Sequence, residues 1–267
     1  MIVEYKSMDI SIIILHWKNI VKTTKCLDSI KASDLGALTR EIIVVDNGSE
    51  DNVADTLKNR YPEVILVASA KNLGMGGGNN LGIKRARGDF LFILNDDIVL
   101  KRDSLRILYE RMRSDGNIGL SAPRLVNADG TFQPSCFRFP TFMTPVLRRT
   151  FLGKIFRKRL EDYVAGEDSS ESERECEWVM GSSLLVRKAV LDRIGAFDER
   201  FFMYFEDTDL CRRIREAGFR VEYCPGSVVV HEHSRGSAKK AWYIAPFTDK
   251  LAREHIKSFL KYLWKWR

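Results

Sequence analysis

Four short apolar runs in the first hundred residues, at 11–17, 41–47, 64–69 and 89–95, are rich in Ile, Val and Leu at both alternating positions. A strand that is apolar on both faces must be covered on both faces. Segments with helical spacing separate the runs, at 21–32, 52–60 and 78–86, the second preceded by Ser49, Glu50 and Asp51 as capping residues. Strand and helix in strict alternation, with strands that need two covers, define an α/β fold. The expectation is a mixed, mostly parallel central sheet with helices on both faces.

In such sheets ligands gather at the carboxyl ends of the strands. Those ends are polar here: His16 and Trp17 close the first strand, Asp46 and Asn47 the second, and Asn95, Asp96 and Asp97 the fourth. The third is followed by a glycine-rich segment, 72–80, with Asn72, Gly74 and Asn80 among its members. Adjacent carboxylates at a sheet edge repel unless a cation offsets them, and Mg or Mn takes oxygen ligands and bridges carboxylates to a diphosphate. The plain alternatives stay open. Asn95 to Asp97 also reads as a turn ahead of a helix at 103–114, Asp46 as an Asx turn, and the glycines as a tight turn.

The second half is less regular. Shorter strands fill 118–138, with a hairpin loop at 127–130. Between 140 and 175 a basic block without acids gives way to a block of carboxylates and serines, which reads as a solvated loop or as a flap over an acceptor. A strand follows at 178–187, then a helix at 206–217 with Glu206, Asp207 and Asp209 in its first turn and Gly218 as its stop. A strand at 219–230 runs into His231, Glu232 and His233, and the chain closes on a basic amphipathic helix at 247–267.

A length of 267 residues suits one large domain or a domain with an appendage, and a net charge of +7 favours anionic partners. No basic stripe interleaved with aromatics supports nucleic acid. Five cysteines without a CxxC pair suggest neither a disulfide framework nor a zinc cluster, so a reduced, cytosolic setting is expected. No apolar run approaches the roughly 20 residues that span a bilayer. The expected location is cytoplasmic, with the terminal helix resting on the inner face of the membrane or packed on the domain.

The strings VVDNGS, NLGMGGGNNLGI, LNDD, WVMGSSLLVR, GAFDERFFMYFEDTDLCRR and VVVHEHSRGS occur in this order. As an ordered set they resemble the family 2 inverting glycosyltransferases of the GT-A fold, and within them the rhamnosyltransferase-like and galactofuranosyltransferase-like branch. The resemblance spans residues 9–263 and is weakest at 140–175.

It implies a GT-A domain over 1–246, divided into a nucleotide-binding half (9–100) and an acceptor half (101–246), followed by the helix at 247–267. It further implies a nucleotide-diphosphate sugar donor, with dTDP-rhamnose favoured by the branch, and a surface polysaccharide or lipid-linked glycan as acceptor. Asp46 would hold the nucleobase edge beside the backbone of His16 and Trp17, while Asn72, Gly74 and Asn80 line the donor pocket and Asp96 meets the ribose or sugar. Asp97 would ligate Mg or Mn with His231. Asn95 would join them as a weaker, neutral ligand at the first position of the family's DxD metal motif, from which it departs. Asp207, with Glu206 beside it, matches the general base, while Trp178, Gly181, Ser182 and Tyr204 shape the acceptor side.

Two other classes stay open on the sequence. A nicotinamide enzyme is suggested by the glycines ahead of Asp96, although they follow the third strand instead of the first. A glycan- or nucleotide-binding protein without turnover is suggested by Asn95.

Overall fold

The computed structural model describes residues 8–149, 152–164, 172–232 and 249–267. The elements run β1 (Met8–His16), α1 (Ile20–Lys31), β2 (Arg40–Asp46), α2 (Val53–Arg60), β3 (Ile65–Ala68), α3 (Gly74–Arg85), β4 (Gly88–Asn95), β5 (Ile98–Leu100), α4 (Ser104–Ser114), β6 (Ile118–Val126), β7 (Phe132–Gln133) and β8 (Cys136–Phe137). They continue with α5 (Thr144–Arg149), α6 (Leu152–Ile155), α7 (Arg157–Tyr163), β9 (Arg174–Cys176), β10 (Trp178–Val179), β11 (Ser183–Arg187), α8 (Lys188–Ile194), α9 (Glu206–Glu216), β12 (Arg220–His231) and α10 (Lys250–Lys265).

The main sheet has the order β3-β2-β1-β4-β11-β6-β12-β5, with β7 beside β6 and β9 beside β12. β3, β2, β1 and β4 are parallel, as are β6 and β12, while β11 runs antiparallel between the two sets. One apolar cluster lies on each face. Ile12, Ile14, Val44, Phe92 and Leu94 pack with α1, α2 and α4, whereas Ile13, Val45, Leu91 and Ile93 pack with α8 and α9. This alternation along β1, β2 and β4 is the two-sided burial expected from their composition.

α3 starts at Gly74, four residues before its expected position, and most of its glycines are helical rather than looped. Close packing explains them. A Cβ on Gly82 would lie 2.5 Å from Ile13 Cγ2, and one on Gly78 would lie 2.5 Å from Leu15 Cδ1, so these glycines let α3 lie directly on β1. Gly74 alone among Gly74, Gly76, Gly77 and Gly78 has a positive φ, +78°.

Three expectations are corrected. The loop of 140–175 contains α5, α6, α7 and β9, because Leu147 and Tyr163 supply apolar anchors that the charge blocks concealed. The strand of 178–187 is two strands in different sheets, broken around Gly181. Cys136 and Cys176 form a disulfide with Cα atoms 5.6 Å apart, so the inference of a chain without one does not stand. These cysteines are 40 residues apart in sequence, and only the fold brings them together. Cys26, Cys211 and Cys224 are buried thiols. No helix among the described residues is long and apolar enough to cross a membrane.

Candidate active site

β1, β2 and β4 deliver His16, Asp46 and Asn95 to one edge in register, Leu15 opposite Asn95 and His16 opposite Asp46. His16 is fully buried, its ring engaged through Nδ1 at 2.7 Å from the Thr23 hydroxyl and Nε2 at 3.1 Å from Asp51 Oδ2, and its carbonyl accepts from Asn47 N at 3.0 Å. Trp17 is about half exposed beside it, with the Lys18 ammonium over its ring. Asp46 Oδ1 accepts from Ser49 N, three residues on, at 2.9 Å, which holds the carboxylate in place.

The glycine-rich entry to α3 is clamped by two amides. Asn47 Nδ2 donates to Asn72 Oδ1 and to the Gly74 carbonyl, while Asn47 Oδ1 accepts from Leu73 N. Asn80 turns away from that entry. Its amide pairs with both the N–H and the carbonyl of Phe197 and with Glu199, so it fastens the segment leading to α9. Gly74 and Met75 reach the same segment: Met75 N donates to the Phe202 carbonyl at 2.7 Å, and a Cβ on Gly74 would lie 2.1 Å from that oxygen.

Asp97 sits between Lys22, whose Nζ is 3.2 Å from Oδ2, and His231, whose Nε2 is 3.5 Å from Oδ1. Burial works to raise its carboxyl, but His231 and Lys22 outweigh it and hold the group below its usual value. Asp96 behaves oppositely. Burial and the charge of Asp97 push it up to about 7, against Lys22 and the Trp17 backbone N–H.

His231 is oriented by Gln133. Gln133 Nε2 donates to Asn127 Oδ1 and to the His231 carbonyl, so its Oε1 accepts from Nδ1 at 2.8 Å. Nε2 of the same ring faces Asp97 Oδ1 at 3.5 Å. An imidazole nitrogen and a carboxylate oxygen this close together are both groups that can ligate a divalent cation.

Among the described residues no three His, Cys, Asp or Glu side chains surround one point. A divalent ion here would therefore take Asp97 and His231 from the protein and complete its shell with diphosphate oxygens and water, a common arrangement for Mg. His233 lies outside the described residues.

α9 opens on Glu206 and Asp207, and the two residues before it, Tyr204 and Phe205, both have φ of +68°. Non-glycine residues stay in that region only where packing enforces it. Here α10 supplies the packing. Tyr204 lies 4.9 Å from the His255 ring, and Phe205 is 5.5 Å from both Phe259 and Tyr262.

Asp207 is half-buried, with Oδ2 accepting from Gly181 N at 2.9 Å and Oδ1 from Thr208 N at 2.7 Å. Glu206 is buried and its Oε2 has no partner. Burial pushes both carboxyls up. Glu206 rises well above the ordinary range, with the charge of Asp207 adding to the effect, while Asp207 is partly restrained by the Gly181 and Thr208 donors.

Gly181 and Ser182 join the two centres. The Ser182 carbonyl accepts from Asn95 N at 3.0 Å, and the adjacent Gly181 N–H holds Asp207. Trp178 is buried, stacked on Phe137 at 4.5 Å, and supports this bridge from within. Sequence reasoning missed Lys22, Gln133 and the α10 ring cluster. Lys22 carried no motif, and the roles of Gln133 and α10 exist only through contacts about 50 to 100 residues distant.

The sequence matches the Glycosyl transferase family 2 model over residues 11–164 and the Glycosyl transferase family group 2 model over residues 90–264. It is 30% identical over 209 residues to an N-acetylglucosaminyl-diphospho-decaprenol L-rhamnosyltransferase of Mycobacterium tuberculosis, covering 73% of this chain and 68% of that protein. It is 26% identical over 258 residues to rhamnosyltransferase WbbL of Escherichia coli, covering 83% and 91%.

Among solved structures, a mannosyltransferase from Pyrobaculum calidifontis in complex with GDP-Man and Mn2+ aligns with TM-score 0.64 and 19% identity over 97% of this chain and 65% of that one. S. aureus TarS with UDP-GlcNAc aligns with TM-score 0.61 and 15% identity over 86% of this chain and 60% of that one. This chain thus spans less than two thirds of both solved chains, and these two likenesses carry the GT-A fold. The chain belongs to glycosyltransferase family 2 and is a hexosyltransferase-type enzyme.

Proposed function

We propose that the protein transfers one sugar, with inversion, from a nucleotide-diphosphate sugar to an acceptor hydroxyl. The bridge through Gly181 and Ser182 carries this reading, since it ties a cation-seeking carboxylate to a proton-seeking one across a single short turn.

The nucleotide lies along the strand ends, its base at Asp46 and the backbone of His16 and Trp17, its diphosphate toward Asp97. Asp97 and His231 would hold Mg or Mn, which would supply positive charge against the departing diphosphate. Lys22 stands beside Asp97 to take a phosphate oxygen, and Asp96 faces the ribose or the sugar. Asp207 takes the acceptor hydroxyl proton as that oxygen attacks the anomeric carbon and the bond to the diphosphate breaks. Its raised affinity for a proton suits a base, and the Gly181 and Thr208 N–H groups hold its oxygens in position. Gly181, Ser182 and Tyr204 border the acceptor.

The names of the two relatives support rhamnose as the sugar, with dTDP-rhamnose as donor, and the mycobacterial name supports a lipid-linked glycan as acceptor. The test incubates the enzyme and Mn with dTDP-rhamnose, UDP-GlcNAc or GDP-mannose, each with an N-acetylglucosaminyl-diphosphate lipid analogue, and reads products by mass spectrometry and NMR. Rhamnosylated product of inverted anomeric configuration is expected. Preferential transfer from another donor would overturn the rhamnose assignment, and retained configuration would overturn the role of Asp207.

A further inference from the structure

α10 has two working faces. Inward, Ala252, Ser258, Phe259 and Tyr262 are buried, the Ser258 hydroxyl donates to the Met203 carbonyl at 2.8 Å, and Lys265 and the Trp266 indole N–H both reach Asp209. Lys261 donates to the Arg200 carbonyl at 2.6 Å. The helix is therefore fixed to the domain without help from its other side.

That other side is unusual for a solvent face. Ile256, Leu260 and Trp264 recur every four residues, which places them in one row, and they are 38%, 56% and 64% exposed. Lys250, Lys257 and Arg267 are exposed around the row. The one carboxylate of the helix, Glu254, is at the margin, 3.9 Å from Lys257. An apolar row framed by cations, on a helix already anchored along its opposite side, matches a surface made for the boundary between anionic headgroups and acyl chains. A second copy fits poorly, because a two-fold interface would set these cations against their own duplicates with one acid per chain to offset them.

We propose that the outer face of α10 docks in the plane of an anionic phospholipid bilayer, with Ile256, Leu260 and Trp264 entering it. The inner face of the same helix grips the turn before Glu206 and Asp207, so docking sets that turn about one helix diameter, ~10 Å, from the lipid surface. This consequence rests on the reading of Asp207 as base, whereas bilayer binding does not.

The test is co-sedimentation of the full chain with vesicles of phosphatidylcholine alone and with about one third phosphatidylglycerol. It compares the native chain with the combined I256S, L260S and W264S variant, alongside thermal melting and turnover on a water-soluble acceptor analogue. Native protein is expected on anionic vesicles and much less on neutral ones, with binding in the variant reduced about tenfold or more and melting and turnover kept. A native chain that ignores anionic vesicles, a variant that binds equally well, or a concentration-dependent dimer that the variant abolishes would each overturn the proposal. Loss of turnover in the native chain with vesicle binding intact would count against the catalytic reading alone.

Discussion

At the end of β4, Asp97 lies between an ammonium group and an imidazole, whereas at the start of α9 Glu206 and Asp207 meet backbone N–H groups, one hydroxyl and each other. Both centres are shielded from water, yet their carboxyls move in opposite directions. Asp97 is held below its ordinary value and Asp207 above it. A carboxylate that gives up its proton more readily is suited to a cation, and one that binds its proton more tightly is suited to accept one. Environments that separate two like groups in this way support the two roles proposed for them, which residue type alone leaves open.

The largest effect should come from Asp207→Asn, which keeps the side-chain size but removes the base and one of the two oxygens that accept from Gly181 and Thr208. The expected loss in kcat is about 10²–10⁴-fold, with donor affinity by calorimetry unchanged. Gly181→Ala perturbs the same centre from across the bridge. Its Cβ would stand 2.9 Å from Asp207 Cβ, so the carboxylate must shift, and kcat should fall about 10²-fold with little change in donor affinity.

Gln133→Ala addresses the other centre. Removing the Gln133 side-chain carbonyl from His231 Nδ1 should weaken Mn affinity about 10–100-fold, read by Mn electron paramagnetic resonance, while kcat at saturating Mn is largely kept. If Gln133→Ala lowered kcat at saturating Mn as strongly as Gly181→Ala does, the two centres would not be separable.

Acid should act through Asp207 before it acts through Asp97. With its value raised by burial, Asp207 takes up its proton at a higher pH than an ordinary Asp, so kcat should drop about tenfold per unit on an acid limb displaced toward neutral pH. The smallest effect concerns Glu206. A carboxyl whose folded value is raised costs stability once pH exceeds its unfolded value near about 4.3, so Glu206→Gln should melt higher than the native chain at pH 7. The gain should be about 2–4 °C per kcal/mol relieved and should vanish near pH 4.

The donor edge was legible because it is local. Each strand ends within a residue or two of the position that its apolar run indicates, and Asp46, Asn95 and Asp97 follow directly from those ends. Glu206, Asp207 and His231 were also placed correctly along the chain, since the amphipathic helix and the strand that carry them have clear periodicity. Asn80 shows the limit. Its neighbours in sequence point to the ligand, but its amide is committed to Phe197, 117 residues away. Cys136 with Cys176, Gln133 with His231, and α10 with Phe205 were unreadable for the same reason, as pairings set by tertiary approach leave no local pattern. The terminal helix was half legible: its charge was visible, but not that Lys265 and Trp266 turn inward while Ile256 and Leu260 stay outside.

The division of labour between the two centres is tested most directly by one calorimetric titration of dTDP-rhamnose with Mn into the native chain, Asp97→Ala and Asp207→Asn, with turnover measured on the same samples. Asp207→Asn should bind donor and Mn as the native chain does while losing turnover, and Asp97→Ala should lose both. Native-like turnover in Asp207→Asn, or native-like Mn-dependent donor binding in Asp97→Ala, would contradict it.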